Sequence, residues 1–194
     1  MTISWPVTLQ KDEVILRPIS RRDKQAWTEI KARNRQWLSP WDASNPDGQT
    51  HIPTFREIYQ QSRRSSKSGS AFMFAIEMDQ QLIGQITLGN VIWGSLREAY
   101  IGYWIDQKYA NRGIVTTSVA LLTDFALNEC GLHRIEISIR PENSASLRVV
   151  EKLGIKEEGM RPRFLHIDGD WRDHLIFVVT SENINSTKIP TILR

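Results

Sequence analysis

Asn111, Arg112 and Gly113 stand between two different kinds of pattern, and that position makes them candidates for chemistry. Before them, Tyr100 to Asp106 is β-rich; after them, Ile114 to Ala120 opens an apolar run at helical spacing. Glycine lets the backbone approach a ligand with no Cβ in the way, and the first turn of a helix offers amides without intrahelical partners. With an arginine beside them, such amides make an anion site, above all for phosphate. A plain turn at Gly113 fits the same residues. Two common phosphate loops are excluded. No Gly-Lys-Ser/Thr follows Gly113, and one glycine after hairpin-linked strands is not a dinucleotide fingerprint.

Other reactive side chains point to less. Cys130 is the only cysteine, so no intrachain disulfide forms, and a reducing, cytoplasmic setting is expected. It stands at a helix end with no histidine in the elements near it, which argues against a nucleophile. The four histidines lack metal-ligand spacing, and no metal is expected. The formal charge is +3. Basic residues crowd at Arg17 to Lys24, at Arg33 to Arg35 and at Arg63, Arg64 and Lys67, yet form no long block. Solvated helix faces account for them, so neither direct nucleic-acid binding nor a membrane partner is expected. No apolar run approaches the roughly 20 residues of a membrane helix, and the first residues lack the pattern of a secretory leader.

The elements that must position the loop follow from period and punctuation. Val14 to Ile19 reads as a strand. Ser20 with Asp23 starts a helix that runs to about Arg35. An aromatic segment, Trp37 to Trp41, and a polar loop, Asp42 to His51, lead to a second helix over Thr54 to about Arg64. Phe72 to Met78, Leu82 to Leu88 and Glu98 to Ile105 form an antiparallel meander joined by short turns. A helix after Gly113 ends at Gly131; Arg134 to Ile139 alternates as a strand; a helix opens at Asn143 or Ser144 and closes at Gly154. Ile155 to Glu158 and Trp171 to Thr180 complete the strands. The order β-α-α-β-β-β-α-β-α-β-β predicts one α+β domain over residues 12–180, a mixed, mostly antiparallel sheet flanked by helices. The tail from Ser181 to Arg194 is expected to be weakly ordered.

In this order of elements the chain resembles the GCN5-related N-acetyltransferases. Ala110-Asn111-Arg112-Gly113-Ile114-Val115 is similar to that family's phosphate loop, Gln/Arg-x-x-Gly-x-Gly/Ala, departing at both ends. Arg140-Pro-Glu-Asn143-Ser-Ala-Ser146, with a helix ending at Leu153-Gly154, is similar to its second cofactor element; Ile155 replaces the usual phenylalanine. Ile167-Asp-Gly-Asp-Trp171-Arg-Asp-His174 and Asn34-Arg35-x-Trp37-Leu38-x-Pro40-Trp41 resemble the branch that acetylates the N-terminal alanine of ribosomal proteins. The resemblance spans about residues 12–180.

The resemblance implies acetyl-CoA as co-substrate. Its pyrophosphate would sit on the amides of Arg112, Gly113, Ile114, Val115, Thr116 and Thr117, and its pantetheine arm in a gap where the strand with Tyr103, Trp104 and Ile105 splays from Arg134 to Ile139, the fourth strand from the fifth. Asn143 would contact the thioester region or cap its helix. Ser146 would act as the acid at sulfur, with Ser144 in reserve. Where the branch carries a glutamate before Phe164-Leu165, this chain has Arg163. Glu98 is then the expected base, ahead of Asp106, Asp168 and His174. Trp37 and Trp41 would pack the acceptor mouth and form its wall. The implied reaction is acetyl transfer to a primary amine, the α-amino group of a protein N-terminus such as that of a ribosomal protein. A small-molecule acetyltransferase, acting on a polyamine, amino acid or antibiotic, and a catalytically silent acyl-CoA-binding module are the alternatives. Monomer and homodimer both fit.

Overall fold

A computed structural model describes residues 5–47 and 53–189. Eight strands form one sheet in the order β1-β2-β3-β4-β5-β6-β8-β7. They are β1 Leu9–Lys11, β2 Val14–Pro18, β3 Phe72–Met78, β4 Gln81–Ile92, β5 Glu98–Ile105, β6 Arg134–Ile139, β7 Lys156–Ile167 and β8 Asp170–Thr180. Every neighbouring pair is antiparallel except β5 with β6.

Alternation along β3 divides the core. Phe72, Phe74 and Ile76 point to one side, Met73 and Ala75 to the other. On the first side lie α4 (Ile114–Asp124), continued by a π turn over Phe125–Glu129, and α5 (Ser144–Leu153). Val119, Leu121, Leu122 and Phe125 join the main cluster there. On the other side lie α1 (Lys24–Arg33), the short α2 (Arg35–Leu38) and α3 (Phe55–Ser68), with Trp27, Ile30 and Phe55 packed on Ala75 and Leu82. α3 and α5 lay one apolar face on the sheet, whereas α4 is buried on every side from Ser118 to Asp124. Among the described residues no helix is long and apolar enough to cross a membrane.

Local signals explain most boundaries. Thr54 caps α3 and exchanges hydrogen bonds with Glu57; Gly69 and Gly154 end α3 and α5 at positive φ. The structure departs from the sequence expectation in four places. A strand precedes Val14, turned back by Asp12 at φ 52°. The first helix breaks at Asn34, whose side chain is turned inward, so that Trp37 and Leu38 lie on a separate turn. β7 runs nine residues past Glu158, because each kinked stretch re-pairs with β8 after its bulge. Beyond Thr180 the chain makes a turn at Ile184–Ser186, Lys188 N–H donates to Leu153 O at 2.7 Å, and Ile189 is buried, so the tail expected to be loose is packed as far as residue 189. Residues 190–194 and the end of the polar loop, residues 48–51, lie outside the described residues.

Candidate active site

Among the described residues, the only parallel pair in the sheet is also its weak joint. β5 and β6 pair at Glu98 with Arg134, Ala99 with Ile135 and Tyr100 with Glu136, and then separate. From Ile101 to Ile105 the β5 edge facing β6 is open, while its other edge stays paired with β4 through Ile105. The two strands splay, as expected, one place later in the count because β1 precedes them. A cleft of about 990 Å³ occupies the separation.

Its floor at one end is the start of α4. Gly113 is the N-cap residue at φ 80°, a conformation that a side chain would strain, and no side chain caps the turn. Thr117 N–H donates to Gly113 O at 3.0 Å, so the amide that closes the first helical turn is used internally. The amides left for a ligand in this turn are those of Ile114, Val115 and Thr116, all of which line the cleft together with Gly113. The Arg112 side chain instead lies over the Tyr109 ring, 5.2 Å from its centroid, and neither Arg112 nor Thr117 lines the cleft. Positive charge at this end comes from Arg148 and Lys152 on α5, with Arg148 donating to Asn111 Oδ1 at 3.4 Å. Sequence reasoning missed this pair; their spacing of four on the face of α5 toward the loop was the available signal.

At the middle of the cleft, Asn143 caps α5 by accepting from Ser146 N–H at 3.1 Å, which fixes the turn that presents Ser146. Both roles foreseen for Asn143 are compatible, because it caps the helix and lines the cleft. Tyr103 reaches the same place from β5. Its hydroxyl is buried without a partner in hydrogen-bond geometry but within the influence of Ser146, and burial raises its pKa to about 12. The rest of its ring packs against the main core, and Trp104 packs against the second cluster, edge-on to Trp27. Ile105 is buried below them.

The other end is aromatic. Trp37, Trp41, Met73, Tyr100 and Trp104 form the wall, with Gln85 and Thr87 from β4. Tyr100 reaches the cleft by folding across Gly89, where a Cβ would come within 2.4 Å of the ring. Arg140, at the end of β6, donates to Pro40 O at 2.7 Å and stacks 5.4 Å from the Trp41 centroid. The segment is also pinned to the β7–β8 hairpin, Ser44 N–H donating to His166 O at 2.9 Å.

Glu98 is not brought to this cleft. It sits where β5 and β6 still pair, and its carboxylate is 3.0 Å from Arg134 Nε. Asp106 is buried and accepts from Arg33, Asn34 and the Lys108 amide. Burial pushes its pKa up, but these donors outweigh it and hold the carboxyl below the usual range. His174 is buried against Phe164 and lies outside the cleft; burial lowers its pKa. Asp168 is in the exposed β7–β8 turn, and Ser144 lines the cleft on the first turn of α5. Arg163 is exposed on the β7 bulge, its amide bound to Asp173, and does not line the cleft. The carboxylates that do are Asp42, 2.9 Å from Lys31 Nζ, and Glu142, 3.2 Å from Arg140 Nε. Burial raises the Cys130 pKa to about 12, which removes it as a nucleophile.

Residues 13–156 match the acetyltransferase (GNAT) domain family. The chain is 30% identical over 173 residues to the probable N-acetyltransferase YjcK of Bacillus subtilis, covering 88% of this chain and 96% of that protein. It is 28% identical over 177 residues to the [ribosomal protein uS5]-alanine N-acetyltransferase of Escherichia coli, covering 90% and 91%. Among solved structures, Mycobacterium smegmatis RimJ in complex with CoA-disulfide superposes with a TM-score of 0.89 at 34% identity, over 97% of this chain and 94% of that one.

Proposed function

Since the chain belongs to the GNAT acetyltransferase family, we propose that it transfers an acetyl group from acetyl-CoA to the α-amino group of a protein N-terminus, with ribosomal proteins as the acceptor class. One observation supports this most. The splay makes a single cleft from the uncapped start of α4, past the Ser146–Tyr103 hydroxyls, to an aromatic wall on the other side of the sheet.

Acetyl-CoA brings an acetyl group already activated as a thioester. The amides of Ile114, Val115 and Thr116 bind its pyrophosphate, and Arg148 and Lys152 add charge that these amides lack. The open edge of β5 offers unpaired backbone groups to an amide-containing arm. Ser146 Oγ, oriented by the Asn143 cap, donates a proton to the departing sulfur, and the Tyr103 hydroxyl beside it supports that donation. Tyr103 keeps its proton throughout, because its pKa is far above neutral. On the acceptor side, Asp42 adjoins Trp41 and draws the ammonium form of the amine into the cleft. One proton of the ammonium leaves through water at Asp42, and the free amine attacks the carbonyl carbon. As the carbon–sulfur bond breaks, the proton shed by the attacking nitrogen passes through water to Ser146 Oγ, restoring the hydroxyl that protonated the sulfur.

Thiol release from acetyl-CoA tests the reading when followed with three acceptors. These are a peptide with a free N-terminal alanine, the same peptide N-terminally blocked but carrying an internal lysine, and a polyamine. Release with the first, and mass spectrometry placing the acetyl group on its α-nitrogen, is the expected result. Release with the polyamine alone, or with none of them, overturns it.

A further inference from the structure

The basic residues that look scattered along the sequence are gathered by the fold. A second groove, about 710 Å³, runs between the start of α1 and the length of α3. It is lined by Arg21, Lys24, Arg56, Arg63, Arg64 and Lys67, together with Tyr59, and no carboxylate lines it. Arg56, Arg63 and Lys67 follow one another at helical spacing on α3, whose opposite face carries the buried Phe55, Ser62 and Ser65. Arg21 and Lys24 are added across the gap, more than thirty positions away in sequence. All six cations are exposed, and among the described residues none forms an ion pair. From Arg56 to Lys67 the row covers about 16 Å of helix.

We propose that this groove binds a single nucleic-acid strand by its phosphate backbone. Like charges held this close repel one another and lower stability unless an anion occupies them. One phosphate would engage two or three of the cations; a row along three turns of helix fits a chain of phosphates. The groove also contains an aromatic face. Tyr59 is stacked parallel on Phe55 with Arg21 5.9 Å from its centroid, and a base can lie against that guanidinium or take its place over the ring. A membrane surface would instead call for apolar side chains projecting beside the cations, and the one purely hydrocarbon side chain lining the groove among the described residues, Phe55, is buried. The groove is a separate surface from the cleft, yet close to it, since Pro53 lines the cleft and Phe55 the groove. The proposal does not depend on which amine the cleft accepts.

The test is fluorescence anisotropy with a labelled twelve-nucleotide RNA and a DNA of the same sequence, each at 50 and 150 mM salt. The full chain is compared with the combined variant Arg56→Gln, Arg63→Gln, Arg64→Gln, Lys67→Gln. Acetyl-CoA binding, unchanged within twofold, shows that the variant is folded, and the pair Arg63→Gln, Lys67→Gln serves if it is not. The expected result is a loss of at least tenfold in affinity and a fall of about 3 in the slope of log affinity against log salt. Binding of RNA and DNA alike, or of RNA preferentially, both support the groove as a strand site. Equal binding by wild type and variant overturns it. So does an equal loss on removing two cations elsewhere, Lys11→Gln with Lys156→Gln, or binding of anionic-lipid vesicles or polyglutamate with no binding of either oligonucleotide.

Discussion

Asn34 Nδ2 donates to Asp106 Oδ1 at 3.0 Å, joining two residues 72 positions apart. Both are buried. Asn34 is where the first helix breaks and the aromatic segment begins; Asp106 follows β5 and starts the turn toward Gly113. Asn34 Oδ1 also accepts from the Gln107 amide at 3.0 Å, so one side chain ties both ends of the cleft together. Asp106→Asn keeps the shape and removes the charge. It should cost about 1.5–3 kcal/mol, the range for a hydrogen bond to a charged group. The sign with pH follows from the lowered pKa in the fold. The stabilisation is fully present above the unfolded carboxyl value, about 3.9, and is lost as pH falls through the folded one. Denaturant titrations should therefore show wild type and variant converging below about pH 4; a constant difference down to pH 2 would assign the effect to packing.

Gly113→Ala tests the anion turn. The added methyl meets nothing within 4 Å, so its cost is conformational, from φ 80°. That cost is about 1–2 kcal/mol if the turn is kept, and relief of the strain turns the amides of residues 114–116 away from the cleft. Calorimetry should show CoA affinity reduced at least tenfold, against a change of threefold or less for Arg112→Ala, whose side chain rests on Tyr109. A larger loss for Arg112→Ala would place the arginine, and not the amides, on the phosphate.

The Tyr103 hydroxyl separates catalysis from stability. Because it is buried and unpartnered, Tyr103→Phe should leave thermal stability unchanged or raised by up to about 1 kcal/mol. Turnover should nevertheless fall severalfold. Ser146→Ala should lower kcat by about 100-fold, within the usual range for a proton donor, with the affinity for acetyl-CoA altered little. Unchanged kcat in both variants would leave the leaving sulfur to be protonated by water.

The sequence revealed most where the local pattern and the fold agree. The start of α4 was legible because Gly113 punctuates a sharp change of period, whereas the splay was expected only from the resemblance to the acetyltransferase family. Leu9–Lys11 was not, since three residues with one apolar side chain carry no period. The long β7 was hidden by Gly159, Pro162 and alternating charge, which suit an exposed, bulged edge strand but read as loop. Side-chain ties across long separations, such as Asn34 with Asp106 or Arg140 with Pro40, leave no mark in any local window. The gathering of the exposed basic residues into one groove was hidden for the same reason: its cations come from two helices, and only their packing adds them up.

Glu98 shows how close a sequence reading can come and still miss. It lies on the strand that borders the cleft, at the first of the three positions paired with β6, and Arg134 from β6 takes its carboxylate. Glu98→Gln should lower stability by no more than about 1 kcal/mol, as for other partly exposed ion pairs, and leave kcat within twofold from pH 6 to 8. A fall of tenfold or more that deepens at low pH would restore it as the base.

Arg140 holds the aromatic wall of the cleft, which we propose receives the acceptor. Its guanidinium is largely buried, donating to Pro40 O while stacking on Trp41, with Glu142 on its Nε. Arg140→Lys keeps the charge but loses the planar stack and the forked donor set. The Pro40–Trp41 turn would then move relative to β6, although Ser44 still anchors its far end to His166. The expected result is a rise of fivefold or more in KM for a peptide acceptor, with CoA affinity unchanged by calorimetry and kcat at saturating peptide within threefold. If CoA affinity falls in parallel with the peptide KM, Arg140 supports the whole cleft, and the division into a cofactor end and an acceptor end fails.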